Sequence, residues 1–270
     1  MAVNEGAWTG ETNRSADRTL ALMQLIAMSP TSLRFADLEQ QTGLPKATLH
    51  QLLGSLLSAG WVTREPEGGW LSVGLSAFEV GTRFPVQATL REVSAPILTA
   101  LLAEFNETLH FGMLSDGDVV YIDRAVATHP VRYAAPLGHR LPAYATGLGK
   151  AMLCALTDQD VEDLYPEGLL PITEQTCTSM PELLEELRVS RERGYTLEEQ
   201  ESTPGIRCIG VLVPVEGRVL AMSMAIPISR ATNEDLIAAA PRLIEAAATV
   251  GERLAVRDWF SGVGPIEVDG

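Results

Sequence analysis

The sequence predicts an α+β protein with a small N-terminal domain and a larger second domain. In the first quarter, apolar residues recur at helical spacing in three short runs, and two short segments of alternating polarity follow them. Later, long amphipathic stretches are separated by pairs of strand-like segments that meet at Asp-Gly or Glu-Gly. Strands interleaved with helices, with hairpins prominent, indicate an antiparallel sheet covered by helices. A length of 270 residues suffices for two domains that each have a core.

Two short helices are predicted at the N-terminal side. Ser15 can cap the first, whose apolar positions keep helical spacing until Ser29-Pro30 ends it. The second runs from Phe35 to Thr42. Each presents one apolar face, which we expect to point inward.

A third helix is predicted to follow the turn TGLPK and to end before Gly60. Gly43 permits an unusual backbone angle, and Pro45 suits the first turn of a helix. One apolar stripe at i, i+3, i+4, i+7 and i+8 comprises Leu49, Leu52, Leu53, Leu56 and Leu57. The opposite face carries donors and very small residues: Lys46, Ala47, His50, Gln51, Gly54 and Ser58. Small residues there would let the helix backbone approach another surface closely.

The segments WVTRE and WLSV alternate in polarity, are joined by PEGG, and are predicted to form a hairpin. Helix, helix, turn, helix and hairpin is the order of a winged helix-turn-helix domain, which binds DNA. On pattern alone, a small helical bundle fits equally well.

The distribution of charge favours the first interpretation. The chain has 35 Asp and Glu and 20 Lys and Arg residues, yet no acid occurs from Gln40 to Arg64. Carboxylates would be repelled by a phosphate backbone, whereas Lys, Thr, His and Gln side chains can donate to phosphates or base edges. The predicted DNA-contacting residues are Arg34, Pro45, Lys46, Ala47, Thr48, His50, Gln51 and Arg64.

The second domain is predicted to combine helices and hairpins. GLSAFEVGTRF forms a short connecting helix, and the inner stripe of the next helix comprises Leu90, Val93, Ile97, Leu98, Leu101, Leu102 and Phe105. One hairpin turns at SDGD, between TLHFGML and VVYIDRAV, and a second turns at EG, between GVLVPV and RVLAMSMAI. Two later helices have capping-box starts, Ser179 with Glu182 and Thr232 with Asp235.

The stretch YATGLGKAML has the composition of an anion site. Thr146 can cap a helix that begins near Gly147, and the first N–H groups of a helix carry positive partial charge. Glycines at positions 147 and 149 remove side chains that would block a carboxylate or another electron-rich oxygen. The alternative, which the spacing alone favours, is that these glycines only allow close packing of the helix on the sheet.

Several segments, in order, resemble a known family. SADRTLALMQLIA, FADLEQQTGLPKATLHQLLGSLLSAGWV and WLSVGLSAFEVG are similar to the DNA-binding domain of IclR-type bacterial transcriptional regulators. PLGHRLPAYATGLGKAML, RERGYTLEEQE, GIRCIGVLVPV and VLAMSMAIPISR are similar to the effector-binding domain of the same family. The resemblance covers about residues 12 to 257, and the ordered set is specific although no single motif is decisive.

This resemblance implies a domain plan and a binding site. A winged helix-turn-helix domain would cover residues 11–73, a linker helix 74–88, an effector-binding domain 89–257 and a C-terminal tail 258–270. The effector-binding domain would have a GAF-like α/β fold with an antiparallel sheet. In the family, backbone groups at a helix start bind a small-molecule effector. The matching pocket positions are Gly147, Leu148, Glu198, Cys208, Ser223 and Ala225.

Three positions depart from the family pattern. Gln51 stands where members usually have Arg, which favours adenine contacts and, through the lost charge, a shallow salt dependence of DNA binding. Glu198 stands where Asp is frequent, and Ala225 where Ser is frequent. Fewer donors favour an effector less polar than glyoxylate or pyruvate, such as an aromatic or otherwise bulky acid or acid derivative.

Some residues suggest chemistry that the pattern does not support. Cys208 with His110 or His139 lacks a flanking nucleophile signature, so these residues are interpreted as packing, pocket-lining or surface residues. No cluster has metal-ligand spacing, so we expect no metal and no cofactor. The charges of PELLEELRVSRER are interpreted as a solvated helix face.

The leading prediction is a ligand-responsive transcription factor that binds an inverted-repeat operator in double-stranded DNA as a homodimer or tetramer. An alternative is an enzyme in which residues 75–257 process a small acid and the first quarter only oligomerises. A third is a ligand-binding protein that has lost DNA affinity. Three cysteines without C-x-x-C spacing fit a reducing cytoplasm, and no apolar run is long enough to span a bilayer.

Overall fold

The structure, a computed structural model, describes residues 13–29, 31–82 and 85–256, without the side chains of residues 85–87. The chain divides into two compact units, with the boundary between Phe84 and Pro85. Residues 11 and 12, Pro30 and the predicted C-terminal tail lie outside the described residues. No helix in the described part of the chain is long and apolar enough to cross a membrane.

The first unit has the predicted order of elements. These are α1 (Arg14–Met28), α2 (Phe35–Thr42), α3 (Lys46–Ser58), β1 (Val62–Arg64), β2 (Leu71–Val73) and α4 (Leu75–Gly81). The strands β1 and β2 pair antiparallel, and Leu33 adds a single antiparallel bridge to Leu71. The unit is therefore a winged helix-turn-helix in which the hairpin forms the wing.

The leucine stripe of α3 lies at the centre of this unit. Leu49, Leu52, Leu53 and Leu56 are buried, and Leu57 packs against them half-buried. They contact Leu22 and Ile26 of α1, Leu38 of α2 and Val62 and Leu71 of the wing. The predicted inner face of α3 is confirmed, and its opposite face is left for solvent or a partner.

Two local predictions in this unit were wrong in detail. Asn13, not Ser15, caps α1, because Oδ1 of Asn13 accepts the N–H groups of Ser15 and Ala16. Pro45 is the N-cap residue of α3 and not part of its first turn. Gly43 does adopt the left-handed conformation at the end of α2, with φ of 61°.

The second unit alternates helices and strands. Its first half contains α5 (Pro85–Phe105), β3 (Thr108–Ser115), β4 (Asp118–Ala125), β5 (Arg140–Pro142), a 3-10 helix (Ala143–Ala145) and α6 (Gly147–Leu153). Its second half contains α7 (Asp158–Leu164), α8 (Met180–Arg193), β6 (Thr196–Glu199), β7 (Ile206–Val213), β8 (Leu220–Pro227) and α9 (Asn233–Ala255). Both predicted hairpins are present, as β3–β4 and β7–β8.

The six strands of this unit form one antiparallel sheet in the order β5-β4-β3-β8-β7-β6. One face is apolar and packs against α5 and α9 through a core that includes Leu109, Phe111, Ile209 and Met222. The other face lies under α6, which is followed outward by α8. Because side chains alternate between the two faces along each strand, one face of the sheet forms the apolar core. The other face carries the polar residues of β3, β6, β7 and β8.

Helix starts and surface charges in this unit agree only partly with the sequence prediction. The capping box of Thr232 with Asp235 is confirmed. Ser179 does occupy the N-cap position of α8, but its side chain makes no capping bond, and Pro181 already fixes the first turn. The charges of α8 are not all solvated, because Glu186 binds a buried lysine and Arg191 donates to the carbonyl groups of Cys154 and Leu156.

Candidate nucleic-acid interface and ligand site

The face of α3 opposite the leucine stripe is open. Lys46, Ala47, His50 and Gln51 are exposed, and Thr48 is half-buried. Gly54 follows on the same face, and no atom lies within 4 Å of the position that a Cβ would occupy there. This face combines donors with a bare stretch of backbone, as a helix that enters a major groove requires.

His50 is held by a neighbouring ring. Its imidazole stacks on Phe35 with 4.1 Å between ring centroids and 24° between the planes. Phe35 is the first residue of α2 and His50 lies in the second turn of α3, so the stack joins the two helices. His50 is exposed, so its imidazole is accessible to a partner.

Two arginines lie against the wing. The guanidinium of Arg34 sits 3.9 Å above the ring of Trp70. Arg64 lies over Gly69, where a Cβ would be 3.1 Å from Nη2 of Arg64. Trp70 was missed as a site residue by the sequence prediction, although its position beside two glycines in the wing was a usable signal.

Electrostatics distinguish the two units. Within the described residues of the first unit, no cation lies within 4.0 Å of a carboxylate, so Arg34, Lys46 and Arg64 have no ion-pair partner there. In the second unit, by contrast, Arg230 forms a bidentate pair with Glu107 and Arg140 binds Asp118. Exposed cations without internal partners are available to phosphates.

The candidate ligand residues of the second unit meet on the polar face of the sheet. Glu198 on β6 is opposite Cys208 on β7, which is opposite Ala225 on β8. In the adjacent row, Ser223 lies between Gly210 and His110. Sequence motifs far apart in the chain are thus brought into neighbouring positions by strand pairing.

The start of α6 rests directly on these rows. Thr146 caps the helix through Gly149 N–H, as predicted, with a distance of 2.9 Å. A Cβ on Gly147 would lie 2.9 Å from Cβ of Cys208, and a Cβ on Gly210 would lie 2.0 Å from the carbonyl oxygen of Gly147. Close packing therefore explains Gly147, as the simpler sequence interpretation held.

The same approach brings donors to the site. Gly147 and Leu148 are the first two residues of α6, so their N–H groups have no carbonyl acceptor within that helix. Both residues are buried, and they adjoin the row that contains Cys208 and Ser223. Close packing and ligand binding are therefore compatible at Gly147.

Only one of the two carboxyl oxygen atoms of Glu198 accepts hydrogen bonds among the described residues. Its Oε1 accepts the backbone N–H groups of Glu201 and Ser202, the second at 3.2 Å. Its buried Oε2 has no hydrogen-bond partner among the described residues. The Cys208 thiol lies beside this carboxyl, on the paired strand. Burial raises the pKa of Glu198 to about 7, against the hydrogen bonds that lower it.

An aromatic cluster that the sequence prediction did not assign to the site lines the same face. His110 lies 5.2 Å from the Tyr121 ring and 5.8 Å from the Tyr133 ring. Tyr121 and Tyr133 also interact with each other electrostatically. Tyr133 also packs against Cys208 and Ala225. His110 interrupts an otherwise apolar strand, which was the available sequence signal.

The titration of these groups does not favour nucleophilic chemistry. Burial raises the pKa of the Cys208 thiol well above its usual value, and the adjacent Glu198 adds to the shift. Burial, helped by Arg124, lowers the pKa of His110 to about 3, and Nε2 of His110 accepts the N–H of Ala135. A protonated thiol and a histidine whose basic nitrogen already accepts a hydrogen bond are not an activated nucleophile and base.

A buried ionic cluster centred on Lys150 of α6 was also missed by the sequence prediction. Nζ of Lys150 is 2.8 Å from Oε2 of Glu186 and 2.5 Å from Oε1 of Glu201. Burial lowers the pKa of Lys150, but the two carboxylates raise it by more, so the net shift is upward and the ammonium stays charged. The cluster joins α6 to α8 and to the loop after β6.

A winged helix-turn-helix with unpaired cations, followed by a unit with a buried polar face, defines a DNA-binding protein of the ligand-responsive class. Comparison with known families agrees. The family described as IclR helix-turn-helix domain matches residues 15–66, and the family described as bacterial transcriptional regulator IclR C-terminal matches residues 84–252.

Individual relatives give the same result. The transcriptional repressor IclR of Escherichia coli strain K12 is 36% identical over 254 residues, which cover 92% of this chain and 92% of the relative. The IclR transcriptional regulator from Alicyclobacillus acidocaldarius shares the fold, with a TM-score of 0.76 at 23% identity over 90% of this chain and 99% of that one. An IclR homologue from Microbacterium hydrocarbonoxydans was solved in complex with 4-hydroxybenzoate. It has a TM-score of 0.75 at 22% identity, and the match covers 90% of this chain and 100% of that one.

The chain therefore belongs to the IclR family of bacterial transcriptional regulators. It is a DNA-binding regulator controlled by a small-molecule effector.

Proposed function

We propose that the open face of α3 reads the major groove of the operator and that the wing cations grip the phosphate backbone. The observation that carries this proposal is the absence of ion pairs within the described residues of the first unit. Gln51 and Thr48 would contact base edges, while Lys46, Arg34 and Arg64 would contact phosphates. Pro45 and Ala47 would allow close approach at the helix start.

The family fold supports a homodimer or tetramer, so the operator would be an inverted repeat that mirrors the twofold axis of the protein. Each dimer would place one α3 in each of two successive major grooves. Residues 11–73 would then form the reading domain and residues 89–257 the sensing domain. We also propose a cytoplasmic location for the protein, since its DNA target lies there.

We further propose that the effector is a carboxylic acid of aromatic or otherwise bulky shape that also carries a hydrogen-bond donor. The N–H groups of Gly147 and Leu148 would donate hydrogen bonds to its carboxylate. The unsatisfied Oε2 of Glu198 calls for a hydroxyl group, which can donate to the carboxylate or accept from the protonated carboxyl, because a buried polar atom without a partner is costly. The rings of Tyr121 and Tyr133 would border its apolar part.

The remaining predicted pocket residues, Cys208, Ser223 and Ala225, would form the floor of the site. The complex of the Microbacterium hydrocarbonoxydans homologue contains 4-hydroxybenzoate, which has both a carboxylate and a hydroxyl donor. This compound is therefore the first candidate to test. We propose no catalytic role for the site, since Cys208 and His110 lack the protonation states of a nucleophile and its base.

The test is a gel shift of the protein on DNA from upstream of its own gene, with and without each acid. We expect retardation that changes with 4-hydroxybenzoate more than with benzoate, and least with pyruvate or glyoxylate. The same acid should raise the melting temperature as its concentration increases. A response to glyoxylate or pyruvate and none to aromatic acids would contradict the proposed effector class.

Two further outcomes address the other parts of the proposal. Mass spectrometry of the acid after incubation should recover it unchanged, whereas a modified product would indicate an enzyme. Gln51→Arg should steepen the salt dependence of DNA binding, because it restores one cation on the reading face. Full retardation by a Lys46→Ala, Gln51→Ala double variant would contradict the assignment of α3.

A further inference from the structure

Two arginines, Arg34 and Arg64, lie against three consecutive residues of the wing. The guanidinium of Arg34 lies 3.9 Å above Trp70. The indole of Trp70 in turn covers Gly68, where a Cβ would lie 2.8 Å from Nε1 of the ring. Arg64 covers the next glycine, Gly69. Three consecutive residues of the wing thus form a base on which two guanidinium groups rest.

The backbone around Arg34 is fixed on both sides. The N–H of Arg34 donates to Oδ2 of Asp37 at 2.7 Å, which anchors it at the start of α2. The carbonyl oxygen of Leu33 accepts the N–H of Leu71 at 2.8 Å, next to Trp70. The donor edges of the guanidinium have no hydrogen-bond partner among the described residues, since only its face is engaged.

This arrangement has a chemical consequence. No carboxylate lies within 4.0 Å of the Arg34 or Arg64 guanidinium in the described part of the unit, so the charge of each can be compensated by an external anion. An arginine stacked on an aromatic face keeps its planar fork free for bidentate contact with phosphate. Stacking also removes rotational freedom from the side chain before DNA arrives, which lowers the entropy lost on binding.

We propose that Trp70 is the residue that positions Arg34 for its contact with a phosphate group. The partner is the sugar-phosphate backbone of duplex DNA. The location fits, because Phe35, the residue after Arg34, stacks on His50 of α3, so Arg34 lies within one residue of a contact with the reading helix. This inference rests on the proposed DNA-binding role of α3 and extends it to the wing.

The experiment is a double-mutant cycle on the full-length protein with a fluorescein-labelled duplex of mixed sequence. Anisotropy titrations from about 50 to 200 mM KCl give the affinity and its salt slope. Arg34→Ala should lower the slope by about 0.9 for each DNA-bound domain, as one phosphate contact is lost. Trp70→Leu should weaken binding about two- to fivefold, the range of an exposed cation–π contact, and Trp70→Phe should restore it.

The cycle separates positioning from simple packing. If Trp70 acts through Arg34, Trp70→Leu should have no further effect in the Arg34→Ala background. Arg14→Ala is the charge-matched control, because Arg14 is exposed in the same unit and stacks on no ring among the described residues. In that background Trp70→Leu should weaken binding by its full factor. Equal effects of Trp70→Leu in all three backgrounds would overturn the proposal.

Because Trp70→Leu could fail to fold, a second variant, Arg34→Lys, tests the same contact at an exposed position. Arg34→Lys keeps the charge at an exposed position but loses the planar fork, so affinity should fall while the salt slope stays unchanged. Wild-type affinity of Arg34→Lys would count against a stacked, bidentate role. Lys46→Ala is measured in parallel. Weaker binding by Lys46→Ala with neutral Arg34 and Trp70 variants refutes the Arg34 contact alone, whereas neutral results for all variants refute the α3 assignment as well.

Discussion

Lys150 and Glu201 are joined by a buried ion pair that links two borders of the proposed ligand site. Nζ of Lys150 on α6 is 2.5 Å from Oε1 of Glu201, and Glu201 N–H donates to the carboxyl of Glu198. The helix that begins at Gly147 is thereby fixed to the loop after β6, which contains Glu201 and binds the carboxyl of Glu198. A change at either border can be transmitted to the other through these bonds.

Removing the lysine should destabilise the second unit strongly. Lys150→Met keeps the length of the side chain but leaves Glu186 and Glu201 beside an apolar group. Breaking a buried pair in this way costs about 3–5 kcal/mol of the free energy of unfolding. Urea unfolding of the variant and of wild type measures this loss in the free energy of unfolding. Arg188→Met, which removes an exposed partner of Glu185, is the control and should change stability little. Equal stability of the two variants would show that the cluster contributes nothing.

Glu198 should make stability depend on pH near neutrality. Its folded pKa of about 7 lies above its usual value of 4.5, so the folded state binds the proton more tightly than the unfolded state. This contribution to stability is complete below about pH 4.5 and is lost as pH rises through about 7. The slope is at most about 1.4 kcal/mol per pH unit.

The matching measurement compares wild type with Glu198→Gln from about pH 5 to 8. The stability of wild type relative to this variant should decline as pH increases across that range. Glu167→Gln, which removes an exposed carboxylate, should show no such trend. Parallel pH profiles for wild type and Glu198→Gln would mean that the carboxyl titrates at its ordinary pKa.

Local patterns predicted the elements well where packing agrees with periodicity. The leucines of α3 at i, i+3, i+4 and i+7 are all buried, because an amphipathic helix in a small core has only one way to face. The cap of α1 was less certain, since Asn13 and Ser15 are nearly equal as N-cap residues. Which of them caps depends on where the chain enters the helix, and that is set by tertiary contacts.

The buried polar groups of the second unit could not be predicted from periodicity. Lys150 lies on a short helix where a lysine is usually exposed, and its partners are 36 and 51 residues away along the chain. His110, Tyr121 and Tyr133 meet only because strand pairing and a loop bring them together. Family motifs placed Glu198 and Cys208 in the site, but not the unsatisfied oxygen that now suggests the effector's donor group.

A double-mutant cycle of unfolding free energies should measure the effect of the close contact between Gly147 and Cys208. Gly147→Ala introduces a Cβ 2.9 Å from Cβ of Cys208, so α6 must shift or the sheet must distort. We expect a loss of about 1–3 kcal/mol. In a Cys208→Gly background the clash is removed, and the same exchange should cost less. An identical cost in both backgrounds would place the strain elsewhere in the helix.

Gly54 on α3 should show opposite effects on stability and on DNA binding. Ala at this position meets no atom within 4 Å and improves helix propensity, so the free energy of unfolding should rise by about 0.5–1 kcal/mol. If the α3 backbone approaches the groove here, the added methyl group separates helix and DNA, and affinity should fall. Gly81→Ala on α4, which also meets open space, is the control and should leave DNA affinity unchanged. Anisotropy and thermal unfolding on the same samples decide the matter, and unaltered affinity of Gly54→Ala would mean that this stretch of α3 stays clear of the duplex.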